Sequence, residues 1–298
     1  MARRLSYAQN GEDIRVWRAF RDHPLPLTYV DVGANEPFHL SITASLHDMG
    51  WRGLLIEADP VLAQELRVHR PDDRVIEVAA GAVPGELTFY RVPGTGLGTL
   101  DAHEAEQAQA RGFAVERVTV PARPLDEILA GVQAVHFMSV DVEGAEPFVL
   151  AGLSLIEVRP WVLCVEAVLP GTSTPSHDEW EPRLLEHGYL LAAFDGVNRW
   201  YVAQEHADLA EAVATPFNAI DAGADGWVQA DVAAAYDRVD QGLLKRAWQR
   251  ELILNDIRGE VPTAEYERQI DELRTALISV EGSRTFQISR KVTKVGRA

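Results

Sequence analysis

The chain has 298 residues, 47% of them hydrophobic and 24% charged, with a formal net charge of −17, which suits a globular protein with one large domain and an appendage. That acidic balance repels phosphate backbones and argues against a nucleic-acid substrate. No apolar run has the length of a membrane span and the N-terminal Met-Ala-Arg-Arg-Leu lacks the apolar stretch of a signal peptide, so a cytoplasmic protein is expected.

The first element is polar: Ser6-Tyr-Ala-Gln-Asn-Gly-Glu-Asp13, followed by a helical Ile14–Phe20. A segment in front of the first strand can fold over a bound nucleoside as a cover. An apolar strand at 28–32 then runs into a tight turn, Asp31-Val-Gly-Ala-Asn35, and a helix is expected over 39–49. The next strand, 53–57, ends in Glu57, and Asp59-Pro60 reads as an N-cap with a first-turn proline opening a helix over 60–69. A strand at 74–79 precedes an insertion over 86–122 with β segments near Leu87–Val92 and Arg117–Pro121.

A strand at 136–142 turns acidic in Asp141-Val-Glu-Gly-Ala-Glu146. The strand at 161–167 contains the only cysteine, Cys164, whose apolar neighbours predict a buried core residue and no internal disulfide. Ser176-x-x-Glu179 is a capping box and Gly188 closes the helix it opens. Strands at 189–194 and 199–203 are joined by Asp195-Gly-Val-Asn198, which is hairpin chemistry. Alternating strands and helices predict an α/β fold: a Rossmann-like, seven-stranded, mostly parallel sheet with helices on both faces.

Beyond 226 the character changes. Segments 228–258 and 263–281 are helix-prone, and Tyr266, Ile270, Leu273, Leu277 and Val280 form a short heptad seam that serves dimerisation or packing on the domain equally well. Residues 283–298 carry five cations and no acid, a flexible basic tail that could also touch an acidic partner or the inner face of a membrane. The expected division is a domain over 1–225, a helical extension over 226–282 and the tail.

Gly33 at one strand end and an acid, Glu57, at the next are how a Rossmann-type sheet holds a nucleoside, the acid accepting from the ribose hydroxyls. The turn lacks G-x-G-x-x-G, so no pyrophosphate cradle is present. S-adenosylmethionine, a nucleoside without phosphates, fits better than NAD. Asp141, Glu143 and Glu146 crowd three carboxylates into six residues, a density that a sulfonium, a metal ion or a hydroxyl-rich acceptor would justify. Asp141 and Glu143 are expected to orient the acceptor or take its proton, with His177 a further candidate and Glu166 facing the same rim. A divalent ion among Asp141, Glu143 and Glu166 is conceivable, but no ligand spacing identifies one and none is predicted. Trp180, Trp200 and Tyr201 offer flat rings that could stack on a sugar.

These motifs in this order resemble the FkbM-type S-adenosylmethionine-dependent methyltransferases. The resemblance runs through Gln9-Asn-Gly-Glu-Asp13, Asp31-Val-Gly-Ala-Asn35, Gly50-Trp-Arg-Gly53, Ile56-Glu57, Asp141-Val-Glu-Gly-Ala-Glu146 and Phe194-Asp-Gly-Val-Asn-Arg-Trp-Tyr201. It covers about residues 5–220 and is nearest the branch found beside or fused to glycosyltransferases, whose tail is similar to Gly282–Arg290 here. It implies a class I methyltransferase fold, O-methylation of a sugar hydroxyl, and a cofactor site of Gln9, Asp13, Asp31, Gly33, Asn35, Glu57 and Asp141. Glu-Ala-Asp-Pro60 departs from the family's Glu-Pro-x-Pro, and Pro37 stands where many members have Gly. The alternative is a non-catalytic nucleoside-binding scaffold that recruits glycan-assembly enzymes through its C-terminal helices.

Overall fold

A computed structural model of the chain describes residues 4–95, 98–223, 225–230 and 233. Nearly all of them belong to one unit, Arg4–Trp227, while a second takes in Val228–Ala298. The predicted heptad seam and basic tail therefore lie outside the described residues.

In chain order the unit contains β1 (Arg4–Ser6), α1 (Glu12–Phe20), β2 (Thr28–Val32), α2 (Ala44–Asp48), β3 (Arg52–Glu57), α3 (Pro60–His69), β4 (Arg74–Glu77) and β5 (Ala79–Gly81). It continues with β6 (Gly85–Arg91), α4 (Ala102–Ala110), β7 (Glu116–Pro124), α5 (Leu125–Ile128), β8 (Phe137–Val140), α6 (Glu146–Ala151), β9 (Val162–Glu166), α7 (Glu181–Glu186), β10 (Tyr189–Phe194), β11 (Asn198–Ala203), α8 (Ala210–Ala214) and α9 (Ala219–Gly223). No described helix is long and apolar enough to cross a membrane.

Seven strands form one sheet in the order β4-β3-β2-β8-β9-β11-β10. The pairs β2–β3, β3–β4, β2–β8 and β8–β9 are parallel, whereas β11 runs antiparallel to both neighbours. The chain builds outward from β2 to β4, then returns across β2 to lay down β8 and β9. The strand order thus reverses between β2 and β8, and the crevice at the carboxyl ends of those strands is where open α/β sheets bind ligands.

The pleat sorts side chains onto two cores. Val30, Val32, Ile56, Met138, Val140, Leu163 and Val165 face one layer with α5, α6 and α7. Tyr29, Leu55, Phe137, Val162, Cys164 and Trp200 face the other with α1, α2 and α8. Cys164 is buried as expected, and burial pushes its thiol pKa up.

Three local differences from expectation have physical causes. The helix expected over 39–49 is only α2, because Leu40 takes a left-handed φ of 57° and the Ser41 hydroxyl accepts from Ala44 N at its start. The strand expected over 74–79 divides at Val78, so that Ala79–Gly81 pairs with Ala122–Pro124 in a separate three-stranded sheet of β5, β7 and β6. That sheet is the predicted insertion, with α4 inside it. The capping box at Ser176 does not form: a short 3-10 turn covers His177–Glu179 and α7 starts anew at Glu181. Pro182 has no N–H to give the Asp178 carbonyl, so one continuous helix cannot run through it.

Candidate active site

The crevice begins with a backbone contact. Gly33 sits at φ 82°, donates from N to the Ile56 carbonyl at 3.0 Å, and lies so close to Asp141 that a Cβ would meet the Asp141 carbonyl oxygen at 1.8 Å. Asp141 N in turn donates to the Val32 carbonyl at 3.0 Å. The ends of β2 and β8 are therefore locked to each other. Two residues at these ends, Asn35 and Glu143, both hold φ 53° without being glycine. Such backbone costs energy and concentrates at functional sites.

Glu57 closes the crevice from β3. Its Oε2 accepts from Asn35 N at 2.8 Å and its Oε1 from Asp59 N at 2.7 Å, which fixes the carboxylate while leaving each oxygen a second lone pair. The side chain is 5% exposed, and burial pushes its pKa up to about 7. Asp59 also caps α3 as the sequence predicts, accepting from Val61 N. Asp31 accepts from the Thr43 hydroxyl at 2.7 Å and is pushed up to about 6 by burial. Thr43 is held on its other side by the buried Arg70, which also bonds Tyr29 and Asp73.

The N-terminal segment folds differently from a free cover. Asp13 is completely buried and its two oxygens accept from Ser6 Oγ, Ile14 N, Tyr7 N and Ser45 Oγ at 2.7–3.1 Å. These bonds make it a clip that ties the segment to α2. Gln9 is exposed. The carboxyl that reaches toward the sheet is Glu12, which accepts from the Asn198 amide at 3.3 Å, with Asn198 lying opposite Glu166 in the ladder. Burial, followed by the charge of Asp195, pushes Glu12 up to about 7.

On the far side of the crevice, Asp141, Glu146 and Glu166 come together, each offering an oxygen within 4.8 Å of the others. Glu146 Oε1 accepts from Val142 N and Gly144 N, and burial pushes the group up to about 7. Asp141 and Glu166 are both raised, chiefly by burial, and stand close enough for one proton to bridge them. The third member is Glu146, not the Glu143 considered from sequence. Glu143 is pushed up to about 8 by burial and then by Asp141, and its carbonyl accepts from the Thr99 hydroxyl at 2.9 Å, which anchors the insertion to this turn.

The insertion forms a wall here. Leu87, Tyr90, Leu100 and Asp101 face Gly144 and Phe148 across an open cavity of about 400 Å³. His177 sits 3.8 Å from Glu181 and 3.5 Å from Asp178, and its neighbour Ser176 donates from N to the Ala167 carbonyl just past Glu166. Trp180, Trp200 and Tyr201 are buried in the cores and offer no ring face to a sugar. Their apolar neighbours in sequence already carried the core reading.

The raised carboxyls give stability a direction with pH. Glu12 and Glu57 take up protons at about pH 7 in the folded chain, well above the unfolded range, so the stability their protonated forms give at low pH is lost as pH rises through 7. His136 and His206, lowered by burial, act in the opposite sense below about pH 6.5. Between pH 6.5 and 8.5, in chelator and without ligand, Tm should fall by several degrees and Glu12→Gln should flatten part of the fall. A wild-type Tm that holds or rises across that interval would contradict this origin.

The family described as Methyltransferase FkbM domain matches residues 31–191, more than half of the chain. The chain belongs to the FkbM methyltransferase family. Among curated proteins, none matches it. The FkbM match begins at Asp31 and includes the turns at Gly33, Glu57 and Asp141, the strand ends that line the crevice.

Proposed function

We propose that this FkbM protein is an S-adenosylmethionine-dependent methyltransferase that methylates a hydroxyl of a sugar in glycan or polysaccharide assembly. The observation that carries the reading is the crevice where the strand order reverses, with Gly33 packed on Asp141 and the Glu57 carboxylate fixed beside them. The donor set fits the cofactor: Glu57 has lone pairs for ribose hydroxyls, and Asp31 and Asp141 make the mouth acidic, which favours a sulfonium. When bound, S-adenosylmethionine supplies an activated methyl group.

The chain's own work is then positioning. Glu57 holds the nucleoside end. Asp141 and Glu143 orient the acceptor hydroxyl or take its proton, with oxygen and methyl held about 3 Å apart. The cavity walled by Tyr90, Leu100 and Asp101 suits a sugar, with an aromatic face and a polar rim.

Calorimetry with S-adenosylmethionine and S-adenosylhomocysteine should give micromolar, one-to-one binding. A radiolabelled methyl should then pass to members of a nucleotide-sugar and glycan panel. Absence of cofactor binding by a folded protein would end this reading.

A further inference from the structure

Three carboxylates sit together without a cation among the described residues. Asp141, Glu146 and Glu166 converge within 4.8 Å, and among the described residues no salt bridge reaches any of them. Two of their oxygens are buried and unpartnered. Glu146 is fully buried, and once Oε1 has taken the Val142 and Gly144 amides its Oε2 has no hydrogen-bond partner. Glu166 is 7% exposed, and its Oε2 also lacks a partner. A buried, unpaired carboxylate oxygen is costly, and two beside a third carboxylate leave a shortage of positive charge.

We propose that Asp141, Glu146 and Glu166 form a binding site for one hard divalent cation of the Mg²⁺ or Ca²⁺ kind. All three donors are oxygens, the preference of such ions. The spacing agrees. Two oxygens on opposite sides of an ion stand at most about 4.2 Å apart for Mg²⁺ and about 4.8 Å for Ca²⁺, given metal–oxygen distances of ~2.1 and ~2.4 Å. Three oxygens mutually up to 4.8 Å apart stand up to about 2.8 Å from their common centre, so closing on either ion takes a contraction of tenths of an ångström per oxygen.

Position gives the ion a task, and this step rests on the methyltransferase reading above. Asp141 is half-buried, the least buried of the three, and adjoins Gly33, so the open coordination positions face the crevice. There the ion would take a hydroxyl of the acceptor, or two neighbouring ones, and make the oxygen more acidic. The O–CH₃ bond forms as the S–CH₃ bond breaks, the bonding pair stays on sulfur as a neutral thioether, and the hydroxyl proton passes to water.

The test reads the ion without turnover. Chelator-stripped protein, free of S-adenosylmethionine, is titrated with Mn²⁺ by electron paramagnetic resonance and with Mg²⁺ and Ca²⁺ by calorimetry. One ion per chain is expected, with affinity at least tenfold weaker in Glu166→Gln and in the more exposed Asp141→Asn. No stoichiometric ion in the wild type, or equal affinity in a folded variant, would overturn the site and leave a proton-sharing carboxyl cluster. Cofactor binding by the stripped wild type and by Glu166→Gln is measured in parallel. Ion binding without cofactor binding would uphold the site and remove the methyltransferase reading, and the reverse result would do the opposite.

Discussion

Gly33→Ala should destabilise the domain by roughly 2–5 kcal/mol, combining ~1–2 kcal/mol for a left-handed non-glycine residue with ~1–3 kcal/mol for overpacking. The new Cβ would stand 1.8 Å from the Asp141 carbonyl oxygen and 2.9 Å from its carbon, so two strand ends must part to admit it. Neither can yield cheaply. Gly33 N is bonded to Ile56 and Asp141 N to Val32, and both bonds close the parallel ladders at the crevice. Denaturant unfolding would measure the loss. Cofactor titration should find binding abolished even where the variant remains folded, because the gap between β2 and β8 sets the shape of the site. A variant within about 0.5 kcal/mol of wild type would show that the loop relaxes freely and that the close approach is incidental.

Glu57→Ala should remove detectable S-adenosylmethionine binding, at least a hundredfold in Kd, since two charge-assisted hydrogen bonds of ~1.5–3 kcal/mol each are lost. The same change leaves the amides of Asn35 and Asp59 without their acceptor, so a stability loss of roughly 2–5 kcal/mol accompanies it. Glu77→Ala is the matching control. Glu77 pairs with Glu57 in the β3–β4 ladder, yet it is exposed and bonded only at the surface to Arg67. Its loss should leave both unfolding and cofactor affinity nearly unchanged. Unimpaired binding by folded Glu57→Ala would move the nucleoside elsewhere.

What the sequence made legible was local. The strands of the main sheet announce themselves as apolar runs with turn chemistry between them, and the Asp59 cap depends only on its next few residues. Gly33 and Glu57 are legible because a strand end defines their place. The hidden features are distant in sequence. Nothing near Thr43 or Arg70 shows that they hold Asp31, and nothing near residue 12 shows that Glu12, and not only its neighbour Asp13, contributes a buried carboxyl reaching the sheet. Whether Glu143 or Glu146 joins Asp141 and Glu166 depends on the left-handed turn at Glu143. The capping box misled because Ser176 and Glu179 satisfy the pattern while Pro182, just beyond it, forbids the helix.

The β11 strand has a consequence for how this protein could be divided. The family match ends at Leu191, inside β10, and so leaves out β11, although β11 stands between β9 and β10 and sets Asn198 opposite Glu166. A fragment cut at the borders of the match would turn β9 into a bare edge, with Val162–Val165 facing water and ready to pair with another chain. It would also lose Asp13, the clip that fastens the segment ahead of β2 to Ser45. The stretch that identifies the family is therefore smaller than the unit able to stand alone, and any shuffling of this domain between proteins has to carry its two flanks along.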